Sequence, residues 1–240
     1  MNFIKSIVTV LLVPFMFACV FQSEEVEEVF FIEKIYSPLA EMPVDGPIRK
    51  RSFCNEFMNY ESEESVNKLN DIISEIEIHR KSFNPTSYRA SVWLPKIKEI
   101  VKAYGLPEDV AYVPVVESKF KNVASAKGAG GFWQLMPATA RENGLIVNDT
   151  IDERLDPIKS THAACRYIKK LRRELPNWSL TFAAYNAGLG KAKRTINRAE
   201  DPVPDFFSLN WNLETDNYIY RLYAVKEVLE HREEHGIKCY

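Results

Sequence analysis

The 240-residue sequence predicts a mainly α protein, and three observations carry that prediction. Apolar residues recur at spacings of three and four in several segments, which places them on one face of a helix. Residues that start and stop helices flank those segments. No stretch alternates apolar and polar residues as a half-buried strand does, and no internal repeat is present.

The elements follow in order. From Ser65 onward, Val66, Leu69, Ile72, Ile73 and Ile76 share a helical face, and the pattern fails at Asn84-Pro85. A second helix runs up to Tyr104 with Ile97, Ile100 and Val101 inward. Pro95 either starts or kinks it, and Gly105 stops it as a C-cap glycine. Leu106-Pro107-Glu108-Asp109 opens the next helix, with proline early and acids in its first turn. Val110, Val113 and Glu117 share one face there, and Pro114 must kink or shorten the run just before Glu117. Pro137 to Arg141 starts another helix. Asp156-Pro157 combines an N-cap with a first-turn proline, and Ile158, Thr161, Cys165, Ile168 and Leu171 form that helix's inner face. Trp178 to Ala187 is a short apolar helix ending at Gly188. Glu214 begins the last helix, with Tyr218, Leu222, Val225 and Leu229 on one side.

The N-terminus reads differently. Lys5 precedes an apolar run from Ile7 to Phe17 and then Ala18-Cys19, the layout of an export signal. The run is short for a membrane span, and Cys19 stands where a lipoprotein would carry its lipid. Residues 20–63 read as an acidic tether followed by a loop rich in Pro and Gly, and residues 64–235 as one helical domain with its motif core at 105–230. A net charge of −2 gives no reason to expect nucleic-acid binding. Once exported, Cys54 and Cys239 are candidates for a disulfide, whereas Cys165 reads as a small buried hydrophobe. No CxxC and no His/Cys cluster at ligand spacing occurs, so no metal or cofactor is expected. His231 and His235 read as a solvated helix end.

Chemistry concentrates on Glu117. An acid at the end of an apolar helical run is either a solvent-facing helix-end residue or a buried carboxyl, and burial keeps such a group protonated near neutrality. A value shifted toward roughly 6 is expected for the buried case. Soon after comes Ser125-Ala126-Lys127-Gly128-Ala129-Gly130-Gly131-Phe132-Trp133-Gln134, where glycines let the backbone pass close to something bulky. No Gly-Lys-Ser/Thr follows at the spacing of a phosphate-binding loop.

Four motifs stand in order: Glu117-Ser118, Gly131-Phe132-Trp133-Gln134, Ala184-Tyr185-Asn186-Ala187-Gly188, and Glu214-Thr215-Asp216-Asn217-Tyr218. Together they resemble the lytic murein transglycosylases of the soluble-transglycosylase type. The run from Gly105 to Phe120 is most similar to the membrane-bound murein transglycosylase D-like branch. The resemblance covers roughly residues 76–230. It implies a lysozyme-like helical domain with an N-terminal helical extension, peptidoglycan glycan strands as partner, and cleavage that leaves a 1,6-anhydromuramyl end. Glu117 would be the general acid and then base, with the substrate's own C6 hydroxyl supplying the second group that glycosidases provide as a carboxylate.

The same resemblance assigns the remaining positions. Gln134 binds an N-acetyl or hydroxyl group or braces its loop, and Tyr185 approaches Glu117 or packs in the core. Asn186 contacts sugar or caps a helix, and Ser125 faces the muramyl side. Tyr218 and Glu214 line the groove or serve structure. Trp133 stacks on a sugar face, with Phe132 and Trp133 shaping the groove where relatives carry smaller residues. Ser118 holds the loop. Two other readings keep part of this picture: a lysozyme-like hydrolase, and a non-catalytic wall-binding protein.

Overall fold

The structure, a computed structural model, describes residues 50–199 and 204–240. The expected export signal, the lipidation of Cys19 and the acidic tether through residue 49 lie outside the described residues. Within them the chain is mainly α, with eight α-helices linked by turns and short 3-10 segments.

The first element is a hairpin that the sequence pattern does not reveal. Strands β1 (Ser52–Phe53) and β2 (Glu56–Phe57) pair antiparallel, Ser52 opposite Phe57 and Phe53 opposite Glu56. Cys54 and Asn55 make the turn with φ of 53° and 64°, the left-handed pair that a two-residue hairpin needs. Two-residue strands are too short to show alternation, which is why they escape a periodicity reading. Phe53 is buried with its ring edge-on to Phe182, the centroids 5.4 Å apart. Cys54 is buried and Cys239 exposed, and both are free thiols, so the expected disulfide does not form. The Cys54 amide instead donates to Asp109 Oδ2 at 2.7 Å, and Lys226 Nζ closes the same carboxylate at 2.9 Å.

Helix α1 (Glu63–Ile78) begins at Ser62, whose hydroxyl accepts from the Ser65 amide, with Glu63 and Glu64 in the first turn. Helix α2 (Arg80–Ala103) follows after a break at His79 alone. The boundary therefore falls five residues before Asn84-Pro85, where the pattern fails. Pro85 and Pro95 both lie inside α2, because neighbouring helices hold it continuous: Ala90, Leu94, Ile97 and Val101 are all buried. Gly105, at φ 67°, ends it as expected, with the Leu106 amide bonded back to the Val101 carbonyl.

Pro114 divides the next run rather than kinking it. Glu108–Tyr112 is a 3-10 turn, and α3 (Val113–Ser118) starts afresh with Pro114 in its first turn, where its missing N–H costs nothing. Helix α3 ends in two successive left-handed residues that are not glycine, Lys119 (φ 55°) and Phe120 (φ 53°). Burial of the Phe120 ring and a 2.7 Å bond from Arg89 Nε to the Lys119 carbonyl hold that geometry.

After the glycine segment come α4 (Pro137–Glu142), α5 (Pro157–Glu174), α6 (Trp178–Ala187), α7 (Leu189–Ile196) and α8 (Leu213–Glu230). Asp156 caps α5 as expected, accepting from the Ile158 and Lys159 amides. Ile158 itself is exposed at 40%, because the first turn of α5 projects past the core that Thr161, Cys165, Ile168 and Leu171 enter. Helix α6 is apolar on every side and is accordingly enclosed by α5, α7 and α8. Its N-terminus is capped twice, by Asn177 Oδ1 and by the Glu56 carboxylate of the hairpin, which accepts from the Trp178 and Ser179 amides. His231 and His235 are not a solvated end: His235 Nδ1 lies 2.6 Å from Glu77 Oε1, and the Glu227 and Glu77 carboxylates raise its pKa.

Arg154 explains the glycine run. Its buried guanidinium pairs with Asp152, and Nη1 donates to the carbonyls of Gly128 and Leu135 at 2.6 and 3.0 Å. A Cβ on Gly131 (φ 74°) would sit 1.8 Å from the Arg154 carbonyl oxygen, whereas a Cβ on Gly128 (φ 86°) would meet nothing. Gly131→Ala is therefore expected to cost about 3 kcal/mol or more, and Gly128→Ala only the left-handed penalty of about 1 kcal/mol. Equilibrium denaturation in urea measures the contrast.

Candidate active site

Glu117 occupies the last turn of α3, a helix whose Val113, Pro114, Val115 and Ser118 are buried. The residue is half-buried and faces a cleft of about 400 Å³. Its carboxyl is bound by the Tyr218 phenol, which donates to Oε1 at 2.7 Å. Burial raises the carboxyl pKa to about 7; the Tyr218 bond opposes that rise, and the nearby negative charge of Glu214 adds to it. The group therefore gives and takes a proton near neutral pH, somewhat above the roughly 6 expected from sequence.

Four segments bring the cleft together. The glycine turn supplies Ser125, Lys127, Ala129, Gln134 and Met136; the end of α6 supplies Tyr185, Asn186 and Ala187; α7 supplies Lys191; and the start of α8 supplies Asn212, Glu214 and Thr215. Ser118 ties α3 to the glycine turn beneath the acid, donating to the Phe132 carbonyl at 2.8 Å. The Ser125 hydroxyl accepts from the Ala129 amide at 3.0 Å, which closes the turn. Gln134 takes a left-handed backbone (φ 46°), and its Nε2 donates to the Gly131 and Val123 carbonyls. Both amide hydrogens thus brace the loop, and the amide oxygen is the group left for a ligand.

The remaining motif residues divide into lining and support. Tyr185 lines the cleft and donates its phenol to the Trp133 carbonyl at 2.7 Å. Burial, with the Glu117 charge beside it, pushes its pKa well above the ordinary tyrosine value. Asn186 Oδ1 accepts from the Thr215 hydroxyl at 2.9 Å, leaving its amide N–H groups for the cleft. Tyr218 is buried and reaches the acid from within the core, not from the cleft surface. Glu214 is exposed at the rim.

Trp133 does not stack on a ligand. It is fully buried, its indole N–H donates to the Thr161 hydroxyl at 2.9 Å, and only its carbonyl serves the site, through Tyr185. Phe132 is likewise core, edge-on to Trp93 and against Phe120. Both large residues fill volume under the turn, so they do not shape the groove as expected. Sequence reasoning misses Lys127, Met136, Lys191, Asn212 and Thr215 as lining residues. Lys127 and Thr215 lie inside the runs quoted above and the other three within three residues of one, and that proximity is the available signal. Arg154 carries no sequence signal, since its role arises from a contact between distant segments. A second cleft of about 390 Å³ lies behind α3 against Ile72, Ile76, Phe83 and Val116 and holds none of the motif residues. Among the described residues no group of three or more His, Cys, Asp or Glu could hold a metal ion.

Membrane-bound lytic murein transglycosylase D of Escherichia coli K12 is 32% identical over 166 residues, 67% of this chain and 37% of that protein. The same figures hold for its counterpart in E. coli O6:H1. The chain therefore spans little more than a third of the length of these curated relatives. The X-ray structure of an inactive mutant of lytic transglycosylase Slt from Pseudomonas aeruginosa superposes with a TM-score of 0.47 at 22% identity, over 63% of this chain and 25% of that one. Residues 95–204 match the Transglycosylase SLT domain, which takes in Glu117, the glycine turn and the Tyr185-Asn186 corner. The segment of this chain that carries the cleft is thus similar to the Transglycosylase SLT domain.

Proposed function

We propose that this protein is a peptidoglycan lytic transglycosylase that cleaves the β-1,4 bond between N-acetylmuramic acid and N-acetylglucosamine, leaving a 1,6-anhydromuramyl end. The observation that carries the reading is Glu117: a carboxyl with a pKa raised to about 7, held by Tyr218, at the floor of a cleft inside the family-matched segment. In this reading Glu117 gives its proton to the glycosidic oxygen as the C1–O bond breaks. The muramyl C6 hydroxyl then attacks C1, and the Glu117 carboxylate takes that hydroxyl's proton. No water is consumed, and the acid is regenerated. The Gln134 amide oxygen and the Asn186 amide N–H groups bind sugar substituents, Ser125 faces the muramyl side, and Tyr185 borders the reacting carbon.

Glu214 supports the competing lysozyme-like hydrolase, because it places a second carboxylate in the same cleft. The products decide between them: an anhydro end is lighter than a reducing end by one water. Residues 64–235 form the catalytic domain in this proposal, and the cell envelope is its location, consistent with the membrane-bound relative. Among the described residues no helix is long and apolar enough to cross a membrane. Anchoring would fall to the exported N-terminus, through Cys19 if that residue is lipidated.

Four outcomes are expected. Glu117→Gln lowers turnover of purified sacculi by about 10²–10⁴-fold, and mass spectrometry of wild-type digests shows anhydro ends; near-normal turnover by the variant, or reducing ends alone, would sink the assignment. Activity falls as the pH rises above about 7, where Glu117 loses its proton. Tyr218→Phe removes the bond that holds this pKa down, so the alkaline limb moves to higher pH while the maximal rate drops. Stability offers a third readout. A carboxyl that binds its proton more tightly when folded stabilises the fold below its unfolded value near 4.5 and withdraws that contribution as the pH climbs through about 7. Glu117→Gln should therefore gain on the order of 2–3 kcal/mol over wild type between about pH 4 and about pH 8. Paired urea titrations measure it.

A further inference from the structure

Two side-chain amides line the cleft, Gln134 on the glycine turn and Asn186 at the end of α6. The oxygen and nitrogen ends of such a group have nearly the same shape, so its partners alone decide which end a ligand meets. Gln134 uses both N–H groups beneath itself, on the Gly131 carbonyl at 2.8 Å and the Val123 carbonyl at 3.0 Å, and shows the cleft an oxygen. Asn186 is held the other way round. Its Oδ1 accepts from the Thr215 hydroxyl at 2.9 Å, and its N–H groups have no partner among the described residues.

Thr215 differs from Thr161 and Thr181, two other buried threonines on helices. Those bond back to the chain one turn earlier, to the Pro157 carbonyl at 2.6 Å and the Asn177 carbonyl at 2.7 Å. Thr215 stands in the first turn of α8 at 1% exposure, and its hydroxyl reaches out of that helix to α6. Among the described residues the hydroxyl has no other partner. Turning the Asn186 amide over would leave the Thr215 proton buried without an acceptor, which favours the observed orientation by about tenfold. We infer that Thr215 is a positioning residue that fixes the polarity of Asn186, so that Asn186 offers the cleft donors only and binds an acceptor oxygen of the substrate. Gln134 supplies the complementary acceptor, and the acetamido group of an N-acetylated glycan carries both a C=O and an N–H to meet the two. The inference rests on the peptidoglycan reading above and deepens it, by naming the residue that sets which end of the Asn186 amide a sugar meets.

Binding tests this without requiring turnover. The full chain carrying Glu117→Gln is titrated with the β-1,4-linked tetramer of N-acetylglucosamine. Asn186→Asp keeps an oxygen for the Thr215 hydroxyl and puts a second oxygen where the N–H groups face the cleft, so it is expected to weaken binding about tenfold or more. Thr215→Val keeps the side chain's shape and removes the hydroxyl, with an expected loss of about threefold to tenfold. Thr215→Ser should restore most of that loss, and Thr215→Val added to Asn186→Ala should change nothing further. Unaltered affinity in Asn186→Asp overturns the proposal, since the bond would then be only a brace between α6 and α8. So does unaltered affinity in Thr215→Val, or an equal loss from Thr215→Val with and without the Asn186 amide. Asn186→Asp decides alone if Thr215→Val does not fold. A tetramer that fails to bind the Glu117→Gln chain at all overturns the proposal as well. Failure of the transglycosylase reading shows separately, as the absence of anhydro products when wild-type enzyme digests sacculi.

Discussion

The phenol of Tyr218 on the carboxyl of Glu117 joins the last helix to the shortest one that matters for chemistry. Desolvation alone would make this carboxyl hold its proton more tightly still. The tyrosine bond pulls the value back, and Glu214 nudges it up, so the group ends near the pH at which both of its protonation states are useful. Helix α8 is thus more than a wall: it sets the working point of an acid presented by α3. Buried Ile219, Leu222 and Val225 of α8 fix the phenol in depth and direction.

The opposite side of the cleft is built by subtraction. Side chains are absent at Gly130 and Gly131 because Arg154 occupies their place, its backbone carbonyl against one and its guanidinium against the other. With the turn pressed onto Arg154, the Trp133 carbonyl faces Tyr185 and the Gln134 amide turns inward to brace the loop. Arginine, two glycines and a buried indole together produce a rigid backbone shelf, and such a shelf loses little entropy when a ligand settles on it.

Much of this was legible in the residues themselves. Helical spacing found α1, α5, α6 and α8, and cap chemistry placed the start of α5 at Asp156 and the end of α2 at Gly105. Glu117, Ser125, Gln134, Tyr185, Asn186 and Glu214 do line one cleft. What escaped were effects that depend on distant partners. The break at His79 overrode the two prolines, because packing of Leu94 and Ile97 sustains a helix that local rules would interrupt. Trp133 reads as a stacking platform in the sequence, since an aromatic beside a glycine turn serves either the surface or the core, and only the fold shows the indole meeting Thr161. The cleft lysines carry no sequence signal, because a charged surface residue usually means solvation alone.

The small hairpin at residues 52–57 has a bearing out of proportion to its size. It falls within the stretch that reads as tether and loop, yet Glu56 seals the amides that open α6, and its neighbours bind Asp109 and Lys226. Tyr185 and Asn186 sit at the far end of that same helix. A fragment trimmed to begin at the first long helix would leave α6 with half its cap and would loosen the corner that carries both residues. Whatever tension reaches the described chain from its N-terminal side is therefore received by a clasp packed against the helical body, one helix length from Tyr185 and Asn186.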